Sequence, residues 1–222
     1  METEIAQNKN LNYSYAAINY GGEEREKVMI ERTLVILKPD AVSRGLMGEI
    51  VSRFERVGLK IVGAKLIKAS EDLANKHYPR DREEFILGMA QKTVDNYKAQ
   101  GKDLMEDLGT EDLKEIGLMI QGWLVDNLTS GPVFAFVIEG PHAIEVVRKL
   151  IGSTLPLNAA PGTIRGDFSF DSSALGNEGK RPIRNLVHAS GEKDEAEFEV
   201  NLWFSEEEIY EYETVHQRMM IL

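Results

Sequence analysis

The stretch "RTLVILKPDAVSRGLMGEIVSRFERVGLKIVGAKLIKA" (32–69) contains a whole strand–helix–strand unit. RTLVILK (32–38) is a short β-rich apolar run that stops at the turn pair Pro39-Asp40. In GLMGEIVSRFERVG the residues Ile50, Val51, Phe54 and Val57 share one helical face, and Gly58 is a natural C-cap. LKIVGAKLIKA (59–69) reads as a second strand. Further on, Ser70 followed by acids opens a helix over 70–78. From Glu83 to Ala99 the apolar residues recur at helical spacing. A further amphipathic helix runs from about Thr110 to Asn127, with Leu113, Ile116, Ile120, Trp123 and Leu124 on its stripe. GPVFAFVIEG (131–140) is a strand between glycines, and PHAIEVVRKLIG (141–152) a helix with proline in its first turn. Polar loops fill 153–167 and 171–181, NLVHAS (185–190) is a last short strand, and GEKDEAEFEVNLWF and SEEEIYEYE read as helical. The order β-α-β-α-β-α-β predicts an α/β (α+β) fold: a ferredoxin-like split βαβ sandwich, a four-stranded antiparallel sheet with helices on one face. Residues 1–27, polar and tyrosine-bearing, read as a mobile or loosely docked extension.

With 222 residues, 42% hydrophobic and 28% charged, the chain is suited to one sizeable globular domain with additions. No apolar run is long enough to span a membrane, and the N-terminus carries no secretory pattern. Zero cysteines exclude thiol nucleophiles and cysteine-ligated zinc and fit a cytoplasmic location. The net charge of −11 argues against nucleic-acid or anionic-membrane partners. The charge is uneven. Residues 194–213 hold nine Asp or Glu and no Lys or Arg, whereas Lys38, Arg148, Arg165, Arg181 and Arg184 lie near Gly, Pro, Thr or Asn. The acidic run is a solvated face, and the second set points to a local anion site.

Compact motifs are absent. GNEGKR (176–181) lacks the first glycine and the Ser/Thr of a P-loop, and no G-x-G-x-x-G, HExxH or G-x-S-x-G occurs. What remains is distributed. LKPDAV (37–42) puts Lys38 at a strand end. APGTIRGDF (160–168) surrounds Arg165 with proline and two glycines, which suits a guanidinium fork held toward phosphate oxygens. RKLIGSTLP (148–156) adds Arg148 and Thr154. RNLVHASGEKDEAEFE (184–199) holds His188, preceded by Asn185 and followed by small residues, with Glu199 eleven positions on to hold one imidazole nitrogen. Taken alone, His188 reads first as a satisfied structural histidine.

Together these blocks resemble the nucleoside diphosphate kinase family. The resemblance rests on ERTLVILKPDAVSRGLMGEIVSRFERVGLKIVGAKLIKASEDLANKHY (31–78), SGPVFAFVIEGPHAIEVVRKLIGSTLP with APGTIRGDF, and RNLVHASGEKDEAEFEVNLWFSEEEIYEY, in the family's order and over about 130 residues. It implies transfer of the γ-phosphoryl of a nucleoside triphosphate to a nucleoside diphosphate, by a ping-pong route through a phosphohistidine. Carried over by motif, His188 is the nucleophile through Nδ1 and Glu199 orients the opposite nitrogen. Lys38, Arg148, Thr154 and Arg165 hold phosphates, Lys38 and Asn185 reach the ribose 3′-hydroxyl, Tyr78 lies beside the histidine and Phe85 stacks the base. Mg²⁺ is bound through the phosphates. A homo-oligomer, a hexamer or tetramer built from dimers, is implied as well. The alternative is a non-catalytic nucleotide-binding or scaffold member of the same family.

Three departures from the family pattern stand out. Residues 90–129, with four Lys and eight Asp or Glu, replace a link of about five residues and read as an inserted helical hairpin within a domain spanning 28–222. The loop 171–183 is longer than usual, which leaves open whether Pro182 or Ile183 meets the base. HASGE replaces the common HGSDS, so the aspartate that assists Mg²⁺ through water is gone, and Glu192 is a candidate to compensate.

Overall fold

The structure, a computed structural model, describes residues 6–7, 13–16 and 28–220. Its centre is β3 (Val28–Leu37), paired antiparallel along one edge with β5 (Val133–Pro141), which pairs in turn with β4 (Lys60–Ile67). The other edge of β3 is shared. Its end at Val35–Leu37 takes β6 (Val187–Ala189), and its start takes β2 (Tyr13–Ala16), to which β1 (Ala6–Gln7) adds. The order β6-β3-β5-β4 is the expected four-stranded antiparallel core. The N-terminal region thus contributes two strands that its polar composition did not announce, and the rest of 1–27 lies outside the described residues.

Helices cover both faces of the sheet, where one face was expected. Leu34, Val35, Ile36 and Leu37 are all fully buried. Because strand side chains alternate between faces, a run with no polar interruption must be covered twice. Val35 and Leu37 join Phe136 and Ile138 beneath α2 (Met47–Glu55) and α7 (Ala143–Ile151), through Ile50, Phe54, Val147 and Ile151. Leu34 and Ile36 join Ala135 and Val137 on the opposite face. There they meet α3 (Glu71–His77), α6 (Leu113–Thr129) and α10 (Lys193–Trp203) through Ala74, Leu128, Val200 and Trp203.

Several local expectations change. Pro39-Asp40 is the first turn of α1 (Pro39–Ser43) rather than a plain turn, with proline where its missing N–H costs nothing. Pro141 closes β5, and α7 starts two residues later after His142 in a left-handed conformation (φ 52°). The two polar loops contain short helices, α8 (Ile164–Phe168) and α9 (Ser173–Glu178), capped by the side chains of Thr163 and Ser172. SEEEIYEYE is a single 3-10 turn at Glu206–Glu208 followed by extended chain, not a helix. It covers the open edge of β4: Tyr210 N–H donates to the Val62 carbonyl at 2.8 Å and the Tyr212 hydroxyl to that of Ile61 at 2.7 Å.

Between α3 and α6 lie α4 (Glu83–Gln100) and α5 (Leu104–Leu108), and α4 and α6 form a helical hairpin. Ile116 is fully buried against Ala90 and Val94, with Ile120 beside them, so this part of the apolar stripe is covered by the hairpin itself, while Leu124 packs against the main core and Leu113 is exposed. The helices touch at Gly117, where a Cβ would stand 2.4 Å from the Ile86 carbonyl oxygen. Gly117→Ala must therefore push the two helices apart. A loss of about 1–3 kcal/mol in chemical denaturation is expected; unchanged stability would mean that the hairpin does not pack this closely.

Candidate active site

The register of β6 on β3 sets His188 opposite Ile36, and Lys38 follows one residue beyond the end of β3. The chain enters β6 through Leu186, a branched residue at φ 68°, a conformation that costs about 1–2 kcal/mol in an L-residue. Two bonds hold it there. Its N–H donates to Asp40 Oδ2 at 3.1 Å, and its carbonyl accepts from Lys38 N at 2.8 Å. With that turn fixed, Asn185 Oδ1 accepts from Lys38 Nζ at 2.8 Å, and Asn185 Nδ2 donates to the Thr154 carbonyl at 3.0 Å.

Arg165 is buried in α8. Its Nε, Nη1 and Nη2 donate to the carbonyls of Asn185 (3.1 Å), Gly152 (2.9 Å) and Val187 (2.6 Å). Three of the five guanidinium N–H groups are thus taken by backbone carbonyls, two of them just ahead of His188, and two remain for a ligand. α8 packs closely on the segment that leads into it at Gly166, where a Cβ would lie 2.2 Å from the Ala160 carbonyl oxygen. Arg148 is exposed, with Nη1 3.5 Å from the Ala189 carbonyl, and the Thr154 side chain is open to solvent.

His188 Nε2 lies 2.8 Å from Glu199 Oε2, which also accepts from the Ser190 hydroxyl at 2.7 Å. Paired with a carboxylate, Nε2 carries the proton and Nδ1 keeps its lone pair, a tautomer inferred from the bonding. The His188 side chain keeps 17% of its surface open, while Glu199 keeps 4%. Burial holds the His188 pKa well below the usual histidine value, and the cations Lys38, Arg165 and Arg148 depress it further against the opposing pull of Glu195. Burial also raises Glu199, countered by His77 and the Ser190 bond. Lys38 is lowered to about 8, by burial first and then by Arg165, against Asp40. Arg165 falls to about 10, by burial and Arg148, and stays charged at neutral pH.

Three residues with a part in this arrangement did not stand out in the sequence: Asp40, Ser190 and His77. The His77 side chain is fully enclosed, with Nδ1 3.4 Å from Glu199 Oε1 and 3.4 Å from Trp203 Nε1, and its ring centroid lies 4.4 Å from that of His188. Its neighbour Tyr78 meets His188 edge-on at 6.5 Å and stacks on Phe85 at 6.3 Å with the planes 3° apart. No spacing rule links residues 77, 188 and 199. Glu192 is exposed and makes no side-chain cap, whereas the Glu195 carboxylate accepts from Gly191 N–H at 2.5 Å. A Cβ on Gly191 would sit 2.8 Å from that carboxylate, so Gly191 and Glu195 form a matched pair. A separate hollow of about 730 Å³, lined by Asp40, Arg44, Asp171, Arg181 and Arg184 among others, contains no histidine. Two of its cations are already engaged, Arg181 by Asp171 and Arg44 by the Phe168 carbonyl.

A profile of the nucleoside diphosphate kinase family matches residues 31–95 and 120–209. The chain belongs to that family. It is 50% identical over 182 residues to a nucleoside diphosphate kinase of Pyrobaculum aerophilum, covering 82% of this chain and 99% of the relative. To the enzyme of that name from Pyrococcus furiosus it is 45% identical over 183 residues, covering 82% and 88%. Among solved structures, the NDP kinase of Pyrobaculum aerophilum superposes with a TM-score of 0.80 at 49% identity, covering 82% of this chain and 100% of the other. A transition-state mimic of the Borrelia burgdorferi nucleoside-diphosphate kinase with bound vanadate and ADP gives 0.68 at 39%, covering 86% and 96%. The chain is accordingly an enzyme of this class, a phosphotransferase that moves the γ-phosphoryl from a nucleoside triphosphate to a nucleoside diphosphate.

Two buried neutral histidines make stability depend on acid. His77 is depressed by burial first and by His188 next, so below the ordinary histidine pKa of about 6.5 the unfolded chain binds more protons than the folded one. Stability is therefore complete above pH ~6.5 and falls as the pH drops below it, by up to about 1.4 kcal/mol per pH unit for each histidine. His77→Phe should flatten the acid limb of melting temperature against pH; an unchanged slope would mean that His77 is protonated in the fold.

Proposed function

We propose that His188 Nδ1 is the nucleophile of this phosphoryl transfer. The observation that supports it best is the imidazole's one-sided bonding: Nε2 is tied to Glu199 at 2.8 Å, and three cations act on the ring from around it. Depressed basicity keeps Nδ1 unprotonated at neutral pH, and the cations give triphosphate oxygens a place to bind. The Nδ1 lone pair attacks the γ-phosphorus, the bond from that phosphorus to the bridging oxygen breaks, and the diphosphate leaves with the electron pair. The ring then carries the phosphoryl group on Nδ1 and a proton on Nε2, and Glu199 offsets the positive charge. An oxygen of the acceptor's terminal phosphate attacks the same phosphorus, and the electrons of the N–P bond return to Nδ1. No proton is gained or lost over the cycle.

Lys38, Arg148, Thr154 and the two unused N–H groups of Arg165 hold the phosphates. Lys38 and Asn185, bonded to each other at 2.8 Å, also reach the ribose 3′-hydroxyl. Phe85, backed by Tyr78, stacks the base without reading its edge, which makes the enzyme tolerant of base identity. Among the described residues, the side chains spaced to hold a metal are His77, His188 and Glu199, with ligand atoms within 4.8 Å. These atoms are engaged in the histidine–carboxylate network, and they are not the oxygen cage that a hard cation prefers. Mg²⁺ would be held through the nucleotide's phosphate oxygens and would supply neutralisation of the charge that develops there.

The domain spans 28–222, with insertions at about 90–129 and 171–183. Its setting is cytoplasmic, and no helix among the described residues is long and apolar enough to cross a membrane. Leu157 and Phe170, exposed to 71% and 84%, fit a homo-oligomer built from dimers, a tetramer or hexamer, which light scattering will size.

Incubation with γ-labelled ATP and Mg²⁺ should give an acid-labile, alkali-stable phosphoprotein that discharges onto added GDP. Equal labelling of His188→Ala would overturn the assignment. A second outcome concerns Lys38. Its charged form prevails below pH ~8, so nucleotide affinity should weaken as the pH rises through 8 and Lys38→Arg should flatten that fall; a wild-type-like pH dependence in the arginine variant would count against Lys38 as a phosphate ligand.

A further inference from the structure

Gln121 lies on α6, the returning arm of the hairpin, and is 1% exposed. Its amide Nε2 makes two bonds, to the Tyr78 backbone carbonyl at 2.9 Å and to Asn75 Oδ1 at 3.1 Å. Both acceptors belong to the C-terminal turn of α3, whose last carbonyls have no partner within the helix. The N-terminus of α3 is already closed by Ser70, which accepts from Leu73 N–H. Gln121 therefore supplies, from another helix, a donor that α3 lacks.

That turn carries His77 and Tyr78, the two rings that wall the His188 imidazole at 4.4 and 6.5 Å. On its other side it is gripped by α10, through Glu199 and Trp203 against His77. α6 is itself fixed, because Leu128 and Val125 are buried in the cluster beneath Leu34 and Ile36 and the chain then runs into β5. A buried helix thus holds one side of a short helix whose other side abuts the reacting group.

We propose that Gln121 is a positioning residue, through which the hairpin sets the His77–Tyr78 turn and so the orientation of the His188 imidazole. This rests on His188 being the nucleophile. Gln121 touches neither substrate nor reacting atoms; it acts by denying the α3 turn the freedom to relax away from the ring. The hairpin is in this sense part of the catalytic frame. Displacements of about an ångström at a reacting group can change rates by up to ~100-fold, so the single bond to the Tyr78 carbonyl is enough to matter.

The test uses the full chain with Gln121→Met, which keeps most of the packing and removes both donors. Two readouts are needed: the single-turnover rate of His188 phosphorylation and the nitrogen resonances of the four histidine rings. About a tenfold slower phosphorylation is expected, with the His188 and His77 resonances displaced and those of His142 and His216 unmoved. Asn75→Ala should stay near wild type, since the bond to Tyr78 survives. Ile116→Ala supplies the stability control: it unpacks the α4–α6 contact, lowers the melting temperature and leaves both His188 readouts in place. Wild-type rate and resonances in Gln121→Met, with only its melting temperature reduced, would overturn the proposal. Should the methionine variant fail to fold, Gln121→Asn keeps an amide that falls one methylene short of Tyr78; it should show the same loss, and wild-type behaviour there would be equally decisive against the proposal. If the wild-type chain takes no label at His188, the nucleophile assignment fails instead, and the ring resonances still report whether Gln121 holds the turn.

Discussion

Three residues of backbone pairing, Val187–Ala189 along Val35–Leu37, bring the residues of the proposed active site together. β3 is sealed on both faces by apolar side chains and along one edge by β5, so its remaining edge offers unpaired amides that β6 must satisfy. Once β6 is docked, His188 stands beside the end of β3, from which Lys38 emerges. The turn that leads in, with Leu186 left-handed, is secured by Asp40 and by Lys38 N–H. Arg165 then fastens the carbonyls of Asn185 and Val187, just ahead of the histidine. Each later feature of the site, from the Lys38–Asn185 bond to the Glu199 contact, presupposes that docking.

The electrostatic arrangement follows from the same enclosure. The proposed anion site is compatible with a net charge of −11, because two cations, Lys38 and Arg165, are buried beside His188 with Arg148 near it, while many of the acids lie on solvated helices and tail. At four groups of the site burial acts against the charged form: it lowers His188, His77 and Lys38 and raises Glu199. The arrangement is self-consistent for a nucleophile. The imidazole is neutral and available, and the carboxylate behind it is held by Ser190.

The hairpin between α3 and β5 gives the domain more than added length. Its core is small, three buried residues with a few partners around them, and its arms meet at a glycine. Its returning helix nevertheless merges with the main core through Leu128 and reaches α3 through Gln121. The α3 turn therefore sits between two helices of different origin, α10 from the catalytic block and α6 from the hairpin. Tyr78 and Phe85, stacked at the foot of α4, carry that constraint on to the proposed base platform.

Much of this was legible in the residues. The β-α-β order follows from periodicity and turn chemistry, because apolar spacing and Gly or Pro punctuation are local properties. The pairing of His188 with Glu199, eleven positions apart, was legible once the family pattern was recognised. Helices on one face were expected, and the second covered face, like the choice of which helix covers which, is set by chain crossovers that no local pattern encodes. The same holds for the use of Arg165. Its glycine-rich setting signalled a held guanidinium, but the bonds to three backbone carbonyls depend on where α8 docks. His77, Asp40 and Gln121 carried no signal, since a lone histidine, a turn aspartate and a helical glutamine are common surface residues. The sequence by itself determined the four core strands, the long helices and the residue types of the proposed site. Only the tertiary structure decided which distant groups share one buried volume, because desolvation and hydrogen bonding act through space over a few ångströms and are blind to separation along the chain.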